Sequence, residues 1–313
     1  RGEAEAVGVN LAQIPQDLLT NKGLPALSGV AAWDLKLNGS LSDLVVEAEL
    51  DITKGTVNRF AYERAQIYVA GDRHRLDGRL YLTENGGKLI ATGSLHPQTG
   101  GFRGDILARK FNLDAQRLPG QLAAFDGLVN GSILLEGNLT ERETITGDAW
   151  LEIHDLAYHG QELGTLKLQG IAHNGQLQLH DSFLLTKAGQ LTLGGKVDWR
   201  TQPSYDLEVD GDQILIADFL RLIPKQPPVE LDGLAGLTLR VTGWEKPKLQ
   251  GEITVTGLAL NGYYLGQGEA GVRWEDEVIY LDGLTLIQPT GTIKSDGRIN
   301  PSRALDLQVE TEN

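Results

Sequence analysis

Apolar and polar residues alternate with a period of two through most of this chain, and that period leaves few folds open. From 44 to 52, Leu44, Val46, Ala48, Leu50 and Ile52 fall on one side, and Val45, Glu47, Glu49 and Asp51 on the other. An extended strand places successive side chains on opposite faces, so the pattern predicts strands with one apolar and one polar face. The same alternation recurs in Trp33/Leu35/Leu37, Leu80/Leu82, Ile133/Leu135, Leu151/Ile153, Leu166/Leu168, Leu177/Leu179 and Leu191/Leu193/Val197. It continues through Leu207/Val209, Leu237/Leu239/Val241, Ile253/Val255 and Leu305/Leu307/Val309. Asn38-Gly39-Ser40, Glu84-Asn85-Gly86-Gly87, Asn174-Gly175 and Asp282-Gly283 read as hairpin turns between such runs, because Asn-Gly and its relatives accept positive φ. About 18–22 strands are expected at this spacing.

Helical signal is confined to short segments. Asn10–Pro15, Asn112–Pro119 and Ile216–Pro224 each carry apolar residues at helical spacing and stop at proline. They mark a long repeat. Leu27-Ser28-Gly29, Phe125-Asp126-Gly127 and Leu231-Asp232-Gly233 each lead into a strand that closes on glycine, at Gly39, Gly137 and Gly243. Tyr205-Asp206-Leu207-Glu208-Val209 and Leu305-Asp306-Leu307-Gln308-Val309 agree late in two units. The expected organisation is a tail of a preceding repeat with a short helix over 1–26, then β repeats over 27–124, 125–228 and 229–313, forming one continuous elongated sheet. Arg1 and the absence of Met read as a slice from a longer array.

A one-sided sheet must bury its apolar face, and the helices are too few to cover it. Two solutions remain at this stage: a sheet closed on itself as a sandwich or barrel, or a trough whose lining stays open to a ligand. Small residues on the apolar face (Gly131, Ala149, Gly170, Gly195, Gly251, Gly297) suit strong curvature. About 20 strands at ~4.8 Å spacing give a sheet on the order of 100 Å long, which suits acyl chains better than a compact ligand. Trp33, Trp199 and Trp274 are read as strand residues that line or plug such a groove.

Charge and composition exclude other classes. Lys plus Arg is 28 against 42 Asp plus Glu, a net charge of −14, which disfavours nucleic acid and anionic membrane surfaces as partners. Without Cys there is no disulfide framework, thiol nucleophile or Cys-ligated metal. No apolar run reaches the ~18 residues of a spanning helix. His154, His159, His173 and His180 lack metal-site spacing and read as strand-surface side chains. Asp210-Gly211-Asp212 and Glu275-Asp276-Glu277 read as solvated turns or faces. Gly189–Lys196 echoes a phosphate loop but lies in an alternating strand, where such a site needs a following helix. Asn38-Gly39-Ser40, Asn130-Gly131-Ser132 and Asn138-Leu139-Thr140 match a glycosylation sequon, with the turn reading preferred.

The ~100-residue units of short glycine-bounded strands, the Leu/Phe-x-Gly starts and the Asp-Leu-x-Val strands resemble the AsmA-like proteins, most closely their TamB branch. Leu231–Gly236 and Asn300–Val309 carry the resemblance best. It implies an all-β fold: an elongated, curved, mainly antiparallel sheet in a taco-like groove, with short helical segments between repeats. It also implies a place in the periplasm or intermembrane space of a diderm envelope, with the full-length protein anchored in the inner membrane and meeting an outer-membrane barrel of the Omp85 class. The expected function is a non-enzymatic conduit for phospholipid acyl chains, with no cofactor or metal. Alternatives are a scaffold for nascent outer-membrane barrel proteins, acting by strand pairing, and a closed-core spacer. The residues expected to line the groove are Leu35, Leu37, Leu44, Val46, Leu50, Leu80, Leu82, Leu89, Ile106, Ile133, Leu135, Leu151, Ile153, Leu166, Leu168, Leu177, Leu179, Leu191, Leu193 and Val197. The set continues with Leu207, Val209, Leu237, Leu239, Val241, Ile253, Val255, Leu305, Leu307 and Val309.

Overall fold

The computed structural model describes residues 1–13, 27–40, 43–57, 60–113, 124–222, 230–244, 246–276, 278–299 and 305–312. Nearly all of them are strand. The alternating runs become β1 (Gly2–Asn10), β2 (Leu27–Asn38), β3 (Val45–Val57), β4 (Phe60–Gly71), β5 (Leu76–Glu84), β6 (Gly87–Leu95), β7 (Gly101–Leu113), β8 (Phe125–Asn138) and β9 (Thr146–Tyr158). They continue as β10 (Gln161–His173), β11 (Gln176–Leu185), β12 (Gln190–Asp198), β13 (Ser204–Leu215), β14 (Leu231–Gly243), β15 (Lys248–Leu260), β16 (Tyr263–Glu275), β17 (Val278–Gln288), β18 (Gly291–Ile299) and β19 (Leu305–Glu312). Helix among the described residues is limited to α1 (Ile216–Arg221) and 3-10 turns at Leu11–Gln13 and Arg142–Thr144.

The chain forms two compact units, residues 1–160 with 171–175, and residues 161–170 with 176–313. The division falls inside β10. In the first unit β1 to β9 pair antiparallel, each with the next in sequence. In the second, β11 to β19 do the same. Each unit is therefore an open, curved antiparallel meander, the all-β architecture expected from the alternation. β2, β8 and β14 begin at Leu27, Phe125 and Leu231, with six strands from one start to the next.

Bulges recur along one margin of each unit. In the first unit Gly8, Lys54, Lys110 and Asp155 take φ of 73°, 50°, 48° and 51°. In the second, Asp181, Gln213, Gly257 and Gly283 take φ of 46°, 53°, 66° and 62°. Each sits at a register shift in an odd-numbered strand. Odd strands run in one direction through a meander, so within a unit the extra residues share a margin, where they raise the local twist and bend the sheet.

These bulges explain the repeated Leu/Phe-x-Gly. Gly29, Gly127 and Gly233 lie opposite the bulges of β3, β9 and β15. A Cβ on Gly29 would stand 2.8 Å from the Ile52 side chain and 2.9 Å from the Gly55 Cα, and one on Gly233 would stand 2.9 Å from the Gly257 carbonyl oxygen. Gly29 and Gly233 also hold φ of 123° and 128°, closed to a side chain by sterics.

Three sequence expectations differ from the structure. Asp282-Gly283 is not a hairpin turn but the bulge inside β17, because a tight turn and this kind of bulge both need a residue with positive φ. Asn130-Gly131-Ser132 is not a turn either. It lies within β8, where the Asn130 side-chain oxygen accepts the Lys110 backbone N–H at 2.9 Å, beside the β7 bulge. Trp199 falls just past the end of β12, not within a strand. Of the expected helices, Leu11–Gln13 and Ile216–Arg221 are helical, Asn112 and Leu113 end β7, and residues 14–15, 114–119 and 223–224 lie outside the described residues.

The bulged margin is also where the core sits. In the first unit Leu11, Ala31, Ile52, Tyr62, Ala65 and Leu82 pack together, with Leu50, Leu89 and Phe111 against them. Tyr62 stands opposite Gly55 and its hydroxyl donates to the Ser28 carbonyl oxygen at 3.3 Å; burial pushes its phenol pKa up. In the second unit Ala188, Ile214 and Leu237 form the centre, with Phe219 of α1 and the flanking aliphatics around it. Among the described residues the short helical segments thus cover the apolar face at this margin. Gly29→Val or Gly233→Val is expected to destabilise the protein by roughly 2–4 kcal/mol, through clash and a disallowed φ. Gly104→Val, with no atom within 4 Å of its Cβ position, is expected to change stability by less than about 1 kcal/mol; urea unfolding midpoints of the three variants check both.

Candidate functional site

Strand register lines the apolar side chains up in rows. In the first unit the row nearest the bulges is Ala31, Ile52, Ala65, Leu82, Leu89, Ala108, Gly131 and Leu151. Next come Trp33, Leu50, Ile67, Leu80, Ala91, Ile106, Ile133 and Ala149, then Leu35, Ala48, Val69, Gly78, Gly93, Gly104, Leu135 and Gly147. The last row is Leu37, Val46, Gly71, Leu76, Leu95, Phe102 and Gly137. A gradient of burial crosses them. Ala31 and Ile52 are 1% and 3% exposed, whereas the three lower rows are half-buried and Ile106 reaches 38%. Among the described residues no second layer covers those rows.

The second unit repeats this arrangement. Ile214, Ala235, Val255, Gly268, Leu286 and Ile293 form the row at the bulged margin, and Ile214 and Leu286 are buried. Leu191, Gly211, Leu237, Ile253 and Ala270 follow. Leu193, Val209, Leu239, Gly251, Val272, Leu281 and Gly297 form the next row, half-buried throughout. The lowest long row is Leu179, Gly195, Leu207, Val241, Leu249, Trp274 and Ile279.

Of the thirty residues expected to line a groove, twenty-one fall in these rows. Among them only Leu82 and Leu237 are buried, while Ile106 and Val309 are exposed. Leu44 stands just before β3, Ile153 pairs with Val129 beyond the β7 bulge, and Leu177 pairs with Val197. Leu166 and Leu168 lie half-buried in β10. Leu305 and Leu307 pair with Ile299 and Gly297 through their backbones; their side chains lie outside the described residues.

The sequence reading missed a glycine-lined hollow in the face. Gly78, Gly93 and Gly104 stand side by side on β5, β6 and β7, and with Ile67, Val69, Leu76, Leu80, Leu95 and Phe102 they line a hollow of about 470 Å³. Each glycine lies two positions from an apolar residue of the neighbouring row (Leu80, Ala91, Ile106), a signal present in the sequence. Cβ positions on Gly78 and Gly104 meet open space, the nearest atom to the former being 3.9 Å away. The missing side chains at these two positions leave room that the fold itself does not use.

The opposite face is polar and tied by ion pairs between strands. Arg103 bonds the directly opposite Glu136 at 3.0 Å, and Arg240–Asp206 and Arg273–Asp282 bond diagonally at 2.6 Å. Arg64 bonds Asp51 in the same way. Hydrogen bonds from these guanidinium groups hold the carboxyls of Asp51, Asp206 and Asp282 below their usual range. Such exposed pairs contribute ~0.2–1 kcal/mol each.

The features read as non-catalytic have ordinary surroundings. His154 approaches Glu152 at 3.4 Å, His180 approaches Asp181 at 3.2 Å, and His159 packs edge-on against Tyr158. Among the described residues no group of three or more His, Asp or Glu is placed to hold a metal ion. Gly189–Lys196 runs into β12, and the Asn138 side chain caps its own turn by accepting the Thr140 N–H. No helix among the described residues is long and apolar enough to cross a membrane, which says nothing of strands. No family model, curated protein or solved structure matches the chain.

Two outcomes follow. Gly104→Leu is expected to leave the melting temperature within about 2 °C of the parent, because its side chain enters open space, while several-fold weakening the binding of the apolar dye N-phenylnaphthylamine, read by fluorescence. For acid stability, a folded-state carboxyl pKa below the unfolded value of ~3.9 stabilises above that value and loses the contribution as pH falls through the folded one. The double variant Asp51→Asn/Asp206→Asn should therefore lose less stability than the parent between neutral pH and about pH 3, measured as the shift of the urea midpoint.

Proposed function

We propose that the apolar face is a conduit for the acyl chains of phospholipid, and that the chain works without covalent chemistry. The observation that carries this reading is the gradient of burial: among the described residues the apolar rows are closed at and next to the bulged margin, and the rest stay half-exposed with no second layer over them. Contiguous exposed apolar surface on that scale marks a binding surface in a folded protein. Its lining is aliphatic, and successive rows repeat the same chemistry from strand to strand. A chain entering it is stabilised by ~0.8 kcal/mol per buried CH₂, and the repetition gives no single deep trap to halt movement along the face.

The resemblance of the repeat pattern to AsmA-like proteins of the TamB branch supports the same reading. With it come a place in the periplasm of a diderm envelope, the inner membrane and an Omp85-class barrel as partners reached through other parts of a longer protein, and phospholipid as cargo. Each of these belongs to the proposal.

The test is extraction of the purified protein with organic solvent and mass spectrometry of the extract. Phospholipid is expected in the parent and strongly reduced in Leu135→Asp and Leu193→Asp, which alter half-buried positions and are expected to keep the fold by circular dichroism. Ile52→Asp, at a buried position, is expected to unfold the first unit. Lipid-free parent protein, or unfolding of Leu135→Asp and Leu193→Asp as severe as that of Ile52→Asp, overturns the conduit and favours a closed core.

A further inference from the structure

The chain is acidic overall, but one stretch is not. Residues 60–113 hold eight Lys and Arg against five Asp and Glu, in a protein of net charge −14. Alternation puts Arg79, Lys88, Arg103 and Arg109 on the polar face of β5–β7, behind the glycine-lined hollow. A second hollow, of about 600 Å³, opens on this face, with Tyr68, Arg75, Arg79, Thr92, Ser94 and Arg103 among its walls. Asp77 and Asp105 also line it.

Partnerships divide these cations into two groups. Arg75 bonds Asp77 at 2.8 Å and Arg103 bonds Glu136 at 3.0 Å. Arg79 makes no hydrogen bond or ion pair with the described residues, though its charge lies close enough to Asp77 to help hold that carboxyl below its usual range. It stands between Tyr68 and Thr92, directly opposite each across the strands, while Arg103 stands opposite Ser94. A second observation points the same way. Lys88 and Arg109 are exactly paired in register across β6 and β7, both exposed and neither in an ion pair with the described residues. Like charges directly opposite destabilise a sheet, and an anion on this face would relieve that cost.

The geometry points to a binding site for a phosphate ester in the polar hollow of β4–β7. The Arg79 guanidinium presents a planar fork that meets two phosphate oxygens at once, and the hydroxyls of Tyr68, Thr92 and Ser94 are donors at its flanks. Lys88 and Arg109 extend the positive field along the same strands. A small ester fits better than a polyanionic macromolecule, because the remaining surface is strongly acidic and repels an extended anion. The phosphate belongs either to a free small molecule or to a lipid headgroup. This site lies on the face opposite the apolar rows and stands independently of the conduit.

Isothermal titration of the whole chain with sn-glycerol 3-phosphate and with dihexanoyl phosphatidic acid, at matched ionic strength set with chloride, tests it. Saturable binding of at least one is expected, at least tenfold weaker in Arg79→Ala and partly restored in Arg79→Lys, with the urea midpoint unchanged because Arg79 is exposed and unpaired. Binding of both identifies a free ester as sufficient, and binding of the lipid alone identifies a headgroup. The site is overturned if neither ligand saturates, or if Arg79→Ala binds as the parent does. Lipid binding that survives Arg79→Ala but is lost in Gly104→Leu overturns this site while leaving the apolar conduit standing.

Discussion

A sheet one layer thick has to satisfy every backbone hydrogen bond with its neighbours and still find something to do with its apolar side. The first requirement is met here by the antiparallel meander, in which each strand pairs with the next in sequence. The second is met only in part. Burying an aliphatic side chain stabilises by roughly 1.5–3 kcal/mol, and among the described apolar rows full burial stops at the row beside the bulges in the first unit and at the next row, with Leu237 and Ala270, in the second. Curvature, core and open face all follow from how that one margin is closed.

The closure has a local cause. One residue too many in most of the odd strands, held at positive φ, bends the sheet where short helical segments bring Leu11 and Phe219 against it. The glycines of Leu27-Ser28-Gly29, Phe125-Asp126-Gly127 and Leu231-Asp232-Gly233 are what the neighbouring strand needs to pass such a bulge. The repeat that organises the sequence is thus the repeat of a bulge and its opposing glycine. The two faces then diverge in chemistry. One carries rows of half-buried aliphatics with a glycine-lined hollow; the other carries ion pairs between strands and, on β5–β7, cations that make no ion pair with the described residues.

Much of this architecture is legible in the residues. Leu44 to Ile52 alternates in the fold as it does on the page, and the starts at 27, 125 and 231 are strand starts. What was not legible has physical reasons. Asp282-Gly283 looks like a turn because turns and bulges ask the same backbone freedom of the same residue types, and Asn130-Gly131 because a side-chain acceptor that could cap a turn caps the neighbouring bulge at Lys110 instead. Gly78, Gly93 and Gly104 are 15 and 11 residues apart, so their meeting in one row depends on the lengths of two hairpins. Likewise, Lys88 and Arg109 become neighbours only through the register of β6 with β7.

The sequence by itself determined the all-β class, the apolar and polar faces of each strand and the repeat. Those properties live in nearest neighbours along one strand, where side chains alternate with every residue. Only the tertiary structure decided which apolar positions are closed and which stay open, where three glycines open a hollow and which cations make no ion pair with the described residues. Those depend on cross-strand register and on bulges that shift it, and a register slip of one residue moves every side chain of a strand to the other face.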